Sequence, residues 1–151
     1  MDEDIEVLKE FLRFPKWTAD QVFEKFRSIP GIIYRKDLNN NKKRFLFLEG
    51  QKADKVVLVA HADTFFDSSY WSEPVEHNIT EIDGVIYSQN ETEVLNTAGL
   101  GADDRAGCAM LWLLRNSGHS LLITDGEENG MIGSKWLMGK NKGVAKIINS
   151  H

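Results

Sequence analysis

The chain has 151 residues, 42% of them apolar and 27% charged, with a formal net charge of −5. That balance describes one globular domain over residues 1–151 with enough apolar surface for a core. Acids and bases alternate without a basic stripe, which argues against a nucleic-acid partner, and no apolar run approaches membrane-spanning length.

The acidic start, Met1-Asp2-Glu3-Asp4, is unlike a secretory signal and leads into a helix in which Ile5, Leu8, Phe11 and Leu12 share a face. Thr18 followed by Gln21 resembles a capping box opening a second helix through Phe26, which Pro30-Gly31 ends. Ile32 to Arg35 and Arg44 to Leu48 read as strands around the turn-rich Asp37 to Asn41. Between them Lys42-Lys43-Arg44, the densest basic cluster, reads as a solvated loop or strand edge. Val56 to Ala60 is a continuous apolar run, expected as a strand buried on both faces.

A long connection follows. Its aromatics Phe65, Phe66, Tyr70 and Trp71 read as packing residues, and Ile79 to Tyr87 as a hairpin turning at Asp83-Gly84. Asp104 to Leu114 reads as a helix in which Cys108 is a small core residue. As the single cysteine, Cys108 permits no intrachain disulfide, so a reducing cytoplasm is the expected compartment. Leu121 to Thr124 is a second buried strand, Ile132 to Met138 a short helix and Val144 to Ile148 a last strand. That alternation argues an α/β layered fold.

Three stretches fall at element ends, where loops and helix N-termini of such sheets gather ligands. In His61-Ala62-Asp63 the imidazole suits zinc, and Asp63 could receive its other ring N–H. In Gly101-Ala102-Asp103-Asp104-Arg105-Ala106-Gly107 a permissive backbone, begun at Gly99, holds carboxylates at a helix N-terminus, and one aspartate using both oxygens can bridge two cations. In Asp125-Gly126-Glu127-Glu128-Asn129-Gly130, the flanking glycines allow a turn that aims one glutamate at a metal and the other at its water. Taken singly, each admits a plainer reading: a polar turn, an N-cap with an acidic first turn, and an exposed acidic loop.

Together, in this order and context, the three resemble the co-catalytic di-zinc exopeptidases, the clan of aminoacylases, tripeptidase T, glutamyl aminopeptidases and related carboxypeptidases. The match runs over roughly Val56 to Ser134. The resemblance implies a three-layer α/β/α fold with a mostly parallel, mixed central sheet, of which this chain corresponds to the N-terminal part, cut short on the C-terminal side. It implies that His61 ligates one metal, Asp63 orients it, Asp103 bridges both metals and Glu128 ligates the second. Glu127 becomes the general acid/base, the Asp103–Asp104 peptide a candidate cis bond, and Asp104 a residue of geometry more than ligation. Two cations about 3.5–4 Å apart would activate a shared water and polarise the carbonyl of a peptide or N-acyl amino acid. Zinc suits these donors, and cobalt or manganese could take its place.

The chain departs from the clan's pattern in one respect. The clan completes its sites with a further acid beyond the glutamate pair and a histidine far downstream, whereas Asn129 to His151 contains no Asp or Glu. Each metal is left with two matched ligands, His61 with Asp103 and Asp103 with Glu128. His151 lies near where the acid belongs but at a terminus, and His77 and His119 read as surface residues. A second reading therefore stays open: a non-catalytic domain of the same fold that binds a metal or a protein partner. An uncovered C-terminal sheet edge predicts self-association.

Overall fold

A computed structural model describes residues 3–65, 77–88 and 99–150 of the chain. Helices α1 (Glu3–Arg13) and α2 (Asp20–Arg27) come first, then strands β1 (Ile33–Lys36), β2 (Arg44–Leu48) and β3 (Val57–His61). Strands β4 (Ile79–Ile82) and β5 (Val85–Ser88) pair only with each other, and α3 (Ala102–Leu113), β6 (Ser120–Thr124), α4 (Ile132–Lys140) and α5 (Lys142–Ile148) follow. The main sheet has the order β1-β2-β6-β3. It is mixed, as expected, but among the described strands parallel pairing is confined to β3 and β6, because β1 and β2 form a hairpin and β6 runs against β2.

Side-chain alternation along the strands splits the core in two. On β2, Leu46 points to one face and Phe45 and Phe47 to the other; on β6, Leu121 and Ile123 oppose Leu122. Helices α1, α2 and α3 cover the first face with Phe11, Val22, Phe23, Phe26, Cys108 and Leu111. Helices α4 and α5 cover the second through Leu137, Trp136, Val144 and Ile147, completing three α/β/α layers. Phe26 meets Phe11 and Trp112 edge-on at 5.9 and 5.4 Å, contacts that add about 0.5–1.5 kcal/mol each beyond buried area. Cys108 is a core residue, as expected, and burial pushes its thiol well above the ordinary range.

Two strand expectations change. Val144 to Ile148 lies in α5: Val144, Ile147 and Ile148, three and four apart, all reach the same core, whereas a strand would send Val144 and Ile148 to one face and Ile147 to the other. Packing thus overrides the strand bias of β-branched side chains. The apolar run before His61 does form β3, but at the outer position of the described sheet, so Val59 is 59% exposed while Ala60 is buried.

The hairpin turn at Asp83-Gly84 is as expected, both residues having positive φ (51° and 77°) as a two-residue turn between twisted strands requires. His77, expected at the surface, is buried. Its Nδ1 donates to the Leu12 carbonyl at 2.9 Å and its amide to that of Arg13 at 3.0 Å, which satisfies the carboxyl end of α1. Its Nε2 meets the Ser88 hydroxyl at 2.9 Å and so ties the hairpin to that helix. At the start of α2 the N-cap position falls on Ala19, and the Thr18 hydroxyl instead accepts the Asp20 amide at 3.1 Å.

The basic cluster is not wholly solvated. Arg44 is 4% exposed, bonded through Nε to Asp125 and through its terminal nitrogen to Asp20, with its guanidinium 4.5 Å over the Phe23 ring. The first residue of a strand here carries a charge inward because a buried carboxylate waits there. Arg44→Met would strand Asp125 without its cation, and urea unfolding is expected to show a loss of about 3–5 kcal/mol. Adding Asp125→Asn should recover much of it; an Arg44→Met variant as stable as the unaltered chain would show that the pair holds nothing.

Candidate metal centre

Parallel strands deliver their carboxyl ends to the same edge of a sheet, and β3 and β6 do so in register, His61 opposite Thr124. The segments that follow, His61 to Asp63 and Asp125 to Glu128, therefore emerge side by side, joined by the Ala62 amide donating to the Thr124 carbonyl at 2.8 Å. Helix α3 brings the third segment across β3. The Asp104 carboxylate accepts the His61 amide at 3.2 Å, and the Cys108 thiol donates to the His61 carbonyl at 3.3 Å.

The doubled acid at the start of α3 divides its work. Asp104 turns back to accept the Gly107 amide at 3.0 Å, which is an N-cap. Asp103 projects outward with a side chain 84% exposed. The peptide between them is cis and their backbone is non-helical, so the regular helix begins just after them. A Cβ at position 107 would stand 2.1 Å from the Asp104 carboxylate, so glycine is what lets that cap close.

Asp63 ties the other two segments together. Its two carboxylate oxygens accept the amides of Glu127 and Glu128, each at 3.1 Å. The carbonyl of Asp63 receives His61 Nδ1 at 3.0 Å, with a carboxylate oxygen at 3.5 Å. With Nδ1 held, Nε2 faces the opening, 3.0 Å from Asp103 and 3.9 Å from Glu127. Gly126 and Gly130 take positive φ, as the inward turn of the glutamate pair requires. One ligand atom from each of His61, Asp103 and Glu128 lies within 4.8 Å of the others.

The electrostatics are those of a site crowded with negative charge. His61 is raised from 6.5 to about 9, first by its bond to Asp63 and then by the charges of Asp63, Asp104 and Asp103, which together outweigh desolvation. Glu128 is raised by desolvation and by the like charges of Asp103 and Glu127. Burial pushes Asp63 upward, yet its bond to His61 and the two glutamate amides pull it below the usual carboxylate range. A cation in the middle would offset the like-charge crowding that raises Glu128, and a nitrogen-and-carboxylate donor set without thiolate fits zinc, cobalt or manganese.

Two residues that set this geometry lie within the motif stretches but had no role assigned to them from the sequence. Arg105, 1% exposed, donates from Nη2 to the carbonyls of Pro15 and Thr18 at 3.0 and 2.8 Å, anchoring the α1–α2 connection beneath the start of α3. Asp125, paired to Arg44, seats the base of the acidic loop and bonds the Gly126 amide at 2.7 Å. Neither carries a signal in composition, because a charge in a sequence reads as solvated. His77 caps α1, and His119 lies beside Lys52 ahead of β6, so neither joins the group. His151, Phe66, Tyr70 and Trp71 lie outside the described residues, and Phe65, expected to pack, is 69% exposed.

No protein-family model matches the chain, and no curated protein does. Among solved structures it is similar to the aminopeptidase PepT from Bacillus cereus ATCC 10987, with a TM-score of 0.56 and 20% identity over 87% of this chain. The chain spans 38% of that aminopeptidase's length. The likeness is one of fold: a mixed α/β domain of peptidase-like architecture.

Proposed function

We propose that the chain is the metal-holding part of a peptidase or amidohydrolase that cleaves the amide bond of a peptide or an N-acyl amino acid. The observation that carries this reading is the convergence of His61, Asp103 and Glu128, from three distant segments, within 4.8 Å at one sheet edge. The likeness of fold to an aminopeptidase supports it.

In this reading His61 and Asp103 would hold one divalent ion, zinc by preference with cobalt or manganese as alternatives, and Asp103 and Glu128 would hold a second. Such ions, when bound, acidify water toward neutrality and polarise the scissile carbonyl. Asp63 occupies Nδ1 of His61 and so turns Nε2 toward the opening. Glu127, 3.9 Å from that nitrogen, would take the proton of the attacking water and pass it to the leaving amine. Asp104 keeps its role in holding His61 and α3 together.

A second reading has an observation of its own. Among the described residues no fourth His, Cys, Asp or Glu joins the three-donor group, which suits a domain that binds a metal or a partner without turnover. A dipeptide panel with added zinc or cobalt separates the two. Hydrolysis is expected, with Glu127→Gln lowering kcat by about 100-fold or more while metal uptake stays the same. Turnover that survives Glu127→Gln would remove the proposed base, and stoichiometric metal without any turnover would favour the binding domain.

Acidity supplies an independent check. A folded-state value near 9 for His61 means that its imidazolium stabilises the metal-free fold fully below pH 6.5, and that this contribution fades as pH rises through about 9. A bound metal needs the neutral ring, so uptake at pH 7 must release that proton. Calorimetry of zinc uptake in buffers of different ionisation enthalpy should show close to one proton from His61, absent in His61→Asn. Apparent affinity should rise about tenfold per pH unit toward pH 9 from this group alone. Proton release unchanged by His61→Asn would contradict the assignment.

A further inference from the structure

Val144 to Ile148 is a helix, so the outer strands of the main sheet are β1 and β3. Strand β1 carries Arg35 and Lys36, exposed charges of the kind that keep an edge from pairing. Strand β3 reads Val57-Leu58-Val59-Ala60, with no charge before His61. Among the described residues it has β6 on one side and no strand on the other.

The ladder to β6 decides which main-chain groups of β3 are free. The Ser120 amide donates to the Val56 carbonyl at 3.2 Å, and the Ala62 amide to the Thr124 carbonyl at 2.8 Å. Alternate residues of a parallel strand bond the same neighbour, so Leu58 and Ala60 also turn their groups to β6, while Val57, Val59 and His61 turn theirs outward. His61 is already served there, since Asp104 accepts its amide and Cys108 donates to its carbonyl. The N–H and C=O groups of Val57 and Val59 are left, with no partner among the described residues.

The surface around these groups is apolar on both faces of the sheet. Val59, on the same face as Val57, is exposed. On the other face α3 lies over β3, and its Trp112 meets Phe26 of α2. Met110 and Leu114 stand about half a turn from Trp112 and so point away from α2, over the open edge, where both are exposed. The two ends of the edge differ in charge. Lys52 and Lys55 lie at its amino end, Lys55 donating from Nζ to the neutral Ser150 carbonyl, while Asp54 between them faces His119 at 3.5 Å. Asp63, Asp103 and Glu127 crowd around His61 at its carboxyl end.

We infer that β3 is a self-association edge: two copies of the chain pair antiparallel through it about a twofold axis between their Leu58 residues, with Val57 of each opposite Val59 of the other. Each Val57/Val59 pair then exchanges both of its hydrogen bonds, which uses every free group on both strands and leaves His61 to Asp104 and Cys108. Centring on Val59 would set Val57 against a His61 whose groups are taken. Centring on Val57 would set Val59 against Lys55, whose φ of 53° ends the extended run. Antiparallel pairing brings the lysine end of each strand to the acidic end of the other, whereas parallel pairing would bring like ends together. It also closes on itself, as an isologous contact does, and joins two four-stranded sheets into one. Val57 and Val59 stack with their counterparts on one face, and Met110 and Leu114 of both copies meet over the seam on the other. The inference goes beyond the proposed function and takes from that site only its negative charge.

Sedimentation equilibrium of the metal-free chain across the micromolar range tests it. A monomer–dimer equilibrium is expected, weakened about tenfold or more by either Val59→Lys or Val59→Pro. The proline removes an N–H that points away from β6, so the monomer should keep its fold, and matching melting curves establish this for each variant. Lys55→Glu should also weaken the dimer, more at low salt than at high. Leu58→Cys should cross-link to itself on mild oxidation, because directly opposed residues of a non-hydrogen-bonded pair stand within disulfide reach, and Val56→Cys should not. A monomer at every concentration would overturn the inference. So would a dimer that keeps its affinity in both Val59 variants, or one in which Leu58→Cys fails to cross-link. Metal uptake and turnover do not enter these measurements, so failure here leaves the proposed function standing, and loss of the metal centre leaves the edge.

Discussion

The carboxylate of Asp63 is the contact on which the arrangement depends. It stands just past β3 and accepts the amides of Glu127 and Glu128, just past β6, while the same residue steadies His61. Hydrogen bonds to a charged acceptor are worth about 1.5–3 kcal/mol each, enough to hold a loop of like-charged residues that would otherwise spread into solvent. Without that acceptor, neither glutamate has reason to turn toward the imidazole. The parallel pairing of β3 and β6 is the precondition, since it brings both carboxyl ends to one edge.

Beneath this contact lie two buried guanidinium groups. Arg44 reaches Asp125 at the base of the acidic loop and Asp20 at the start of α2, and Arg105 holds the carbonyls of the preceding connection. Buried pairs of this kind contribute little net stability against an apolar replacement, but they penalise any arrangement that leaves one partner alone. Their effect is to allow few positions for the loop and for the helix that carries Asp103.

Much of the architecture was legible from local pattern. The helices at Ile5 to Leu12 and Asp104 to Leu114, the strands flanking the turn at Asp37 to Asn41 and the Asp83-Gly84 hairpin all follow from periodicity and turn chemistry. Val144 to Ile148 misled because three β-branched residues within five positions satisfy both a strand and a helix until the surface they meet is known. Val59 misled for a related reason: an apolar run gives no indication of whether its strand is central or at an edge. His77, Arg44 and Arg105 were unreadable as interior residues, since polar side chains enter a core only when partners distant in sequence are already there.

The sequence by itself determined the chemistry on offer: a histidine, three aspartates and two glutamates placed at element ends, with glycines where the backbone must turn, because residue type and local spacing are properties of the chain alone. Tertiary structure decided which of those groups meet. It sent Asp104 to cap its own helix and to hold His61, left Asp103 facing outward, and let Asp63 gather the glutamate loop. It also left the outer edge of β3 unpaired among the described strands. Such choices rest on distances between segments tens of residues apart, which only packing sets.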